Sequence, residues 1–108
     1  MQRVRINTGA IADWPSFHRE CQRALGFPDF YGRSLDAWID CMSSLREDDG
    51  MVGVHLGPDE MLLLEFPGLE ALNSRAPGVV PALLECVSVV NQRYVGFGES
   101  PAIGLVPL

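Results

Sequence analysis

The sequence predicts a single α/β domain over residues 1–108, with a mainly parallel three-stranded sheet packed against about four helices. Segments typical of strands are separated by segments with helical periodicity, and this order favours parallel strands joined by helices. The chain has 108 residues, of which 47% are hydrophobic, so it can form one core without disulfides or a metal.

The first half of the chain contains one predicted strand and two predicted helices. Alternating hydrophobic and polar residues predict a strand over 2–7. Asp13, a favoured N-cap, begins a helix that ends near Gly26, a usual stop residue. Ser34 is expected to cap a second helix, which runs to about Leu45.

The second half contains two more helices and the remaining strands. Loose alternation followed by turn residues predicts an extra hairpin strand near 51–60. The dense apolar run at 61–66 is typical of a central strand buried on both faces. A short helix at 67–75, a longer helix at 81–94 and a last strand at 102–106 complete the order.

The charge of the chain excludes some partners and favours others. A net charge of −6 argues against nucleic acid and against an anionic membrane surface, and it favours a basic protein. Three irregularly spaced cysteines indicate buried thiols in a reducing compartment. We find no signal-peptide pattern and no apolar run long enough to span a bilayer, so a cytoplasmic location is expected. A monomer is the simplest expectation, and we find no phosphate-binding glycine loop and expect no cofactor.

The predicted second helix carries an acidic ridge. At helical spacing Asp36 and Asp40 share one face, and Trp38, Met42 and Leu45 lie on the opposite face. No arginine stands one helical turn from Asp40, and residues 29–49 hold six acids and two arginines, a local charge of −4. The ridge is either a docking face for arginines or lysines of a partner or an ordinary solvated face of an acidic protein.

Residues 27–41, FPDFYGRSLDAWIDC, resemble the barstar family. The family pattern is an apolar residue, Pro, an acid, two aromatic residues, Gly, any residue, a small polar residue, Leu-Asp-Ala, an aromatic or apolar pair, and Asp-Cys. About fifteen contiguous positions match, and the flanking helix and first strand extend the match to about residue 45. The resemblance implies a three-stranded parallel sheet with helices against it.

The resemblance also implies a function and a site. Barstar-family proteins inhibit small secreted ribonucleases inside the producing cell, and they place carboxylates where RNA phosphates would lie. By position, Asp40 is the main acid and Asp36 the second. The implied partner-binding residues are Phe30, Ser34, Asp36, Ile39, Asp40, Ser44 and Leu45.

Ribonuclease inhibition requires a particular arrangement of the two aspartates, and an alternative function remains open. Both aspartates must face outward, and in its strict form the hypothesis ends if either carboxylate is bonded to an arginine of the same chain. Departures from the best-known member of the family, such as Arg33 in place of an acid, leave open a barstar-like module for a different protein partner.

Enzymatic and metal-binding alternatives have weaker support in the sequence. His18 and Cys21 lack further ligands for zinc. Cys41 has no nucleophile elbow or oxyanion-hole loop around it. An acid/base pair formed by Asp36 and Asp40 would need a substrate cleft, which a domain of this size rarely supplies. The same pair together with Glu47 is a candidate magnesium site.

Overall fold

The computed structural model describes all residues, 1–108, and contains three strands and four helices. The strands are β1 (Gln2–Arg5), β2 (Leu62–Phe66) and β3 (Ile103–Pro107). The helices are α1 (Trp14–Leu25), α2 (Leu35–Met42), α3 (Leu69–Arg75) and α4 (Val79–Gly96), and a 3₁₀ turn occupies Thr8–Ala10. The predicted α/β class and the helix count are confirmed.

The three strands form one parallel sheet in the order β1-β2-β3, so β2 is central. In the register, Val4 is opposite Leu64, and Leu64 is opposite Leu105. Helices cover one face of this sheet. The prediction that β2 is buried on both faces is wrong, because Leu63 and Glu65 are only partly buried on the other face. Glu65 accepts hydrogen bonds there from two arginines of β1.

The caps that position the two N-terminal helices are those expected from the sequence. Asp13 and Ser16 form a reciprocal capping box at the start of α1, and Gly26 ends that helix with φ of 68°. A Cβ at Gly26 would lie 2.8 Å from the Cα of Gly53, so the two backbones cross in direct contact. At α2, the Ser34 hydroxyl oxygen accepts a hydrogen bond from the backbone N–H of Ala37 at 3.1 Å.

The predicted hairpin strand near 51–60 is wrong, since this segment contains no strand. Two of its backbone N–H groups bond outside any sheet: Gly53 N–H donates to the Leu25 carbonyl at the end of α1, and Leu56 N–H donates to the Leu45 carbonyl, three residues after α2. The alternation seen in the sequence corresponds to burial: Val52, Val54 and Leu56 pack in or against the core, and Gly53 and His55 between them are exposed. α2 also ends at Met42, about a turn earlier than predicted.

α4, with 18 residues, is the longest helix. Neither it nor any other helix combines the length and the apolar character needed to cross a membrane. Its buried side holds α2 in place, because the Tyr94 hydroxyl donates to the Met42 carbonyl and accepts from the Leu45 N–H, both at 3.0 Å. The C-terminal end of α4 therefore fixes the position of the acidic helix.

Candidate partner-binding site

The loop before α2 separates two neighbouring aromatic residues. Tyr31 is buried, and its hydroxyl lies 2.6 Å from Nδ1 of His18 on α1. The Tyr31 ring also packs on Phe27, with ring centroids 4.7 Å apart. Phe30 points the other way and is 76% exposed. The loop is thus anchored by one ring and presents the other to solvent.

α2 likewise has a buried side and an exposed side. Trp38 and Met42 are buried in the core, whereas Asp36 and Asp40 are exposed. The predicted inward and outward faces of this helix are therefore correct. Asp36 lies in the first turn of the helix, where its negative charge complements the helix dipole.

Asp40 is not a bare carboxylate, which corrects the expectation from the sequence. Nη1 of Arg93 on α4 lies 3.0 Å from Asp40 Oδ1, and the same nitrogen donates to the Ser43 hydroxyl at 3.2 Å. The side chains of Arg93 and Asp40 are 45% and 63% exposed. Asp40 Oδ2 has no hydrogen-bond partner within the chain. No feature of the sequence pairs residues 53 positions apart, so this contact was missed.

The groove between α2 and α4 contains a second acid. Asp36 and Ile39 line one side of it, Glu85 lies on the other, and Cys86 is also part of the lining. Ile39 is half-buried in this groove. Glu85 is the only acid on α4, and it joins Asp36 because the two helices pack side by side.

A second groove lies on the loop side of α2. Phe30, Asp40 and Met51 are among its lining residues. Met51 comes from the segment that the sequence predicts as a hairpin. Asp49 holds this segment in place, since its Oδ1 accepts the Met51 N–H at 3.1 Å and its Oδ2 accepts the Ser44 hydroxyl at 3.0 Å.

The remaining predicted site residues have different surroundings. Ser34 is exposed, but its hydroxyl oxygen is occupied by the helix cap. Ser44 is half-buried and bonded to Asp49. Leu45 is completely buried, so its predicted contact with a partner is wrong. Leu45 follows Met42 by three positions, in the turn after α2, and its side chain points into the core as that of Met42 does.

The three cysteines and His18 are buried in the folded core. Burial raises the pKa of Cys21 to about 12, and burial also raises the pKa of Cys41, so both remain thiols at neutral pH. Burial, together with nearby Arg33, lowers the pKa of His18. The structure brings no three His, Cys, Asp or Glu side chains together in a way that could hold a metal ion.

The comparisons with known proteins agree with this architecture. The model of one protein family, described as Barstar (barnase inhibitor), matches residues 1–105 of the 108. No curated protein sequence matches the chain significantly. The family match covers all three strands and all four helices, apart from the last residues of β3. The chain therefore belongs to the barstar family.

Proposed function

We propose that this protein inhibits a basic ribonuclease by docking α2 and the loop before it into the active site of the enzyme. Asp40 and Asp36 take the places of RNA phosphates in this proposal, and Phe30 supplies an apolar anchor beside them. The observation that carries it is the exposure of Phe30 and Asp40, 76% and 63%, on the segment that fits the family pattern.

The Asp40–Arg93 contact counts against the strict form of this hypothesis, which required both aspartates to be free. The contact is an ion pair between two exposed side chains, and such pairs contribute only about 0–1 kcal/mol. A cluster of cations in an enzyme active site offers Asp40 charge-assisted bonds in a drier environment, where they are stronger. The proposal therefore includes displacement or sharing of Arg93 when the partner binds.

The test uses barnase, the ribonuclease in the family description, and measures its RNA hydrolysis in the presence of the chain. We expect the wild-type chain to inhibit it. Loss of one carboxylate from a buried charge pair costs about 3 kcal/mol or more, so Asp40→Ala should weaken inhibition about a hundredfold. Asp36→Ala should weaken it less.

Glu70→Ala is the matched control, because it removes the same charge from an exposed site on α3. It should leave inhibition nearly unchanged. The association rate of the wild-type chain should also fall as salt rises, since ions screen the attraction between acidic ridge and basic enzyme. The proposal is contradicted if a variant that carries both Asp36→Ala and Asp40→Ala still inhibits, or if the association rate does not change with salt concentration.

A second candidate is a barstar-like module that binds a different protein. The observation that favours it is the Asp40–Arg93 pair, which partly neutralises the acid on which nuclease inhibition depends most. In that case the wild-type chain fails to inhibit barnase, and cells that express it remain sensitive to the enzyme. A partner recovered from the native host would then bind through Phe30 and Asp36, and its binding would tolerate Asp40→Ala.

A further inference from the structure

We propose that a pocket formed by Trp14, His18 and Arg33 binds one glutamate side chain of the docked partner. This inference rests on the proposed function, because it places a basic contact at the edge of the acidic docking surface. The pocket is lined by Trp14, Pro15, His18, Arg33 and Leu35. It lies on the α1 side of the loop that presents Phe30.

Arg33 is a free cation in an acidic protein. Five of the eight arginines form ion pairs within the chain, and Arg75 donates to two backbone carbonyls. Only Arg33 and Arg19 have no such partner. Arg33 also has a backbone φ of 51°, which non-glycine residues rarely adopt. Because the Arg33 guanidinium has no ion-pair or hydrogen-bond partner within the chain, it is available for an anion from outside the chain.

His18 supplies a second donor to the same pocket. Its side chain is 4% exposed, and Nδ1 is 2.6 Å from the Tyr31 hydroxyl. That hydroxyl has no other acceptor in the chain. We therefore assign it as the donor to Nδ1, which leaves the proton of the neutral imidazole on Nε2. Nε2–H has no partner within the chain. The buried imidazole thus offers the pocket an unused donor.

The walls of the pocket select among anions. The Trp14 and His18 rings are 6.2 Å apart and inclined by only 31°, so they form an aromatic wall, and Pro15 and Leu35 add apolar surface. No acidic side chain lines the pocket. A glutamate fits this environment, because its hydrocarbon stem contacts the apolar walls while its carboxylate meets Arg33. A phosphate has no such stem, and its higher charge is repelled by a protein of net charge −6.

The experiment uses the free chain and a glutamate side-chain probe, N-acetylglutamate amide, in an NMR titration at constant ionic strength. We expect saturable shifts of the Trp14 indole N–H and the His18 ring signals. Arg33→Gln should weaken binding about tenfold, since it removes a charge-assisted hydrogen bond. Arg19→Gln is the matched control, because Arg19 is the other unpaired arginine, and it should bind like the wild type.

Two further measurements test whether loss of binding comes from the Arg33 side chain and whether binding requires the charge of the probe. Arg33→Gly suits the positive φ and removes only the side chain, so it should lose binding without loss of fold. The neutral probe N-acetylglutamine amide should produce no saturable shift. The proposal is overturned if the glutamate probe does not saturate, if inorganic phosphate binds as well, or if the Arg33 and Arg19 variants behave alike. Because no nuclease is present, these outcomes are independent of the barnase assay.

Discussion

Phe30 and Tyr31 are neighbours in the chain, yet one side chain is 76% exposed and the other 6%. The same division continues along α2, where Trp38 is buried and Asp40 is 63% exposed. The inward side chains, Tyr31 and Trp38, are buried aromatic rings, whereas the outward ones are the exposed Phe30 and the acid Asp40. This difference teaches that stability and partner recognition reside on opposite sides of one segment, so substitutions can separate them.

The largest expected effect on the inward side comes from Leu45→Ala. The side chain is completely buried, and removal of a buried leucine costs about 2–5 kcal/mol of unfolding free energy. Urea unfolding measures this loss. Inhibition of barnase by the folded variant should be unchanged under native conditions. A stable variant that no longer inhibits would instead assign Leu45 to the docking surface.

Ser34→Ala should have a smaller effect on stability, of about 1 kcal/mol. The hydroxyl accepts the Ala37 N–H at the start of α2, and loss of an N-cap side chain typically costs this much. The measurement is again urea unfolding, with Ser88→Ala on the exposed side of α4 as control. If both variants are equally stable and only Ser34→Ala weakens barnase binding, Ser34 serves the partner rather than the fold.

Arg93→Gln lies on the outward side and should change stability by less than about 1 kcal/mol, because the ion pair that it removes is exposed. It also frees Asp40, so affinity for barnase should rise by up to about fivefold. Binding kinetics measure this rise, and Arg19→Gln controls for the change in net charge. Weaker binding by Arg93→Gln would mean that Arg93 holds Asp40 in its docking position.

A change of pH tests the anchor of the loop. The folded state keeps His18 neutral, because burial and Arg33 lower its pKa below the ordinary value of 6.5. The unfolded chain takes up the proton first as pH falls, so the stability contributed by His18 is complete above pH 6.5 and is lost as pH falls through the folded-state pKa. Urea unfolding between about pH 8 and pH 5 measures the loss. In His18→Gln the drop should be smaller, and an equal drop would contradict this role.

The sequence predicts the elements whose signals are local. Alternation locates β1 and β2, and the caps at Asp13 and Ser34 locate the starts of α1 and α2. Helical periodicity separates the inward and outward sides of α2. It also places Leu45 inward, and the structure agrees with this periodicity rather than with the role implied by the family resemblance.

The features that the sequence does not predict depend on distant parts of the chain. Arg93 reaches Asp40 only because α4 packs beside α2, and Met51 reaches the groove beside Phe30 only because its segment crosses the end of α1. The alternation in 51–56 is real, but a strand needs a partner strand, and the backbone of this segment bonds to the end of α1 and to the turn after α2. Contacts of this kind follow from the assembled fold and not from spacing along the chain.

The crossing of Gly26 and Gly53 has a consequence for how the chain can vary in length. The two backbones touch there, so residue 53 is fixed against the end of α1 and divides its segment into two spans. The first span includes Gly50, which is exposed and has open space around it. Extra residues near Gly50 would interrupt the hydrogen bond from the Met51 N–H to Asp49, but they would loop out into solvent while residue 53 stays fixed against α1. The position is therefore a natural place for a reporter peptide. Lengthening at the crossing itself would push Met51 away from the groove.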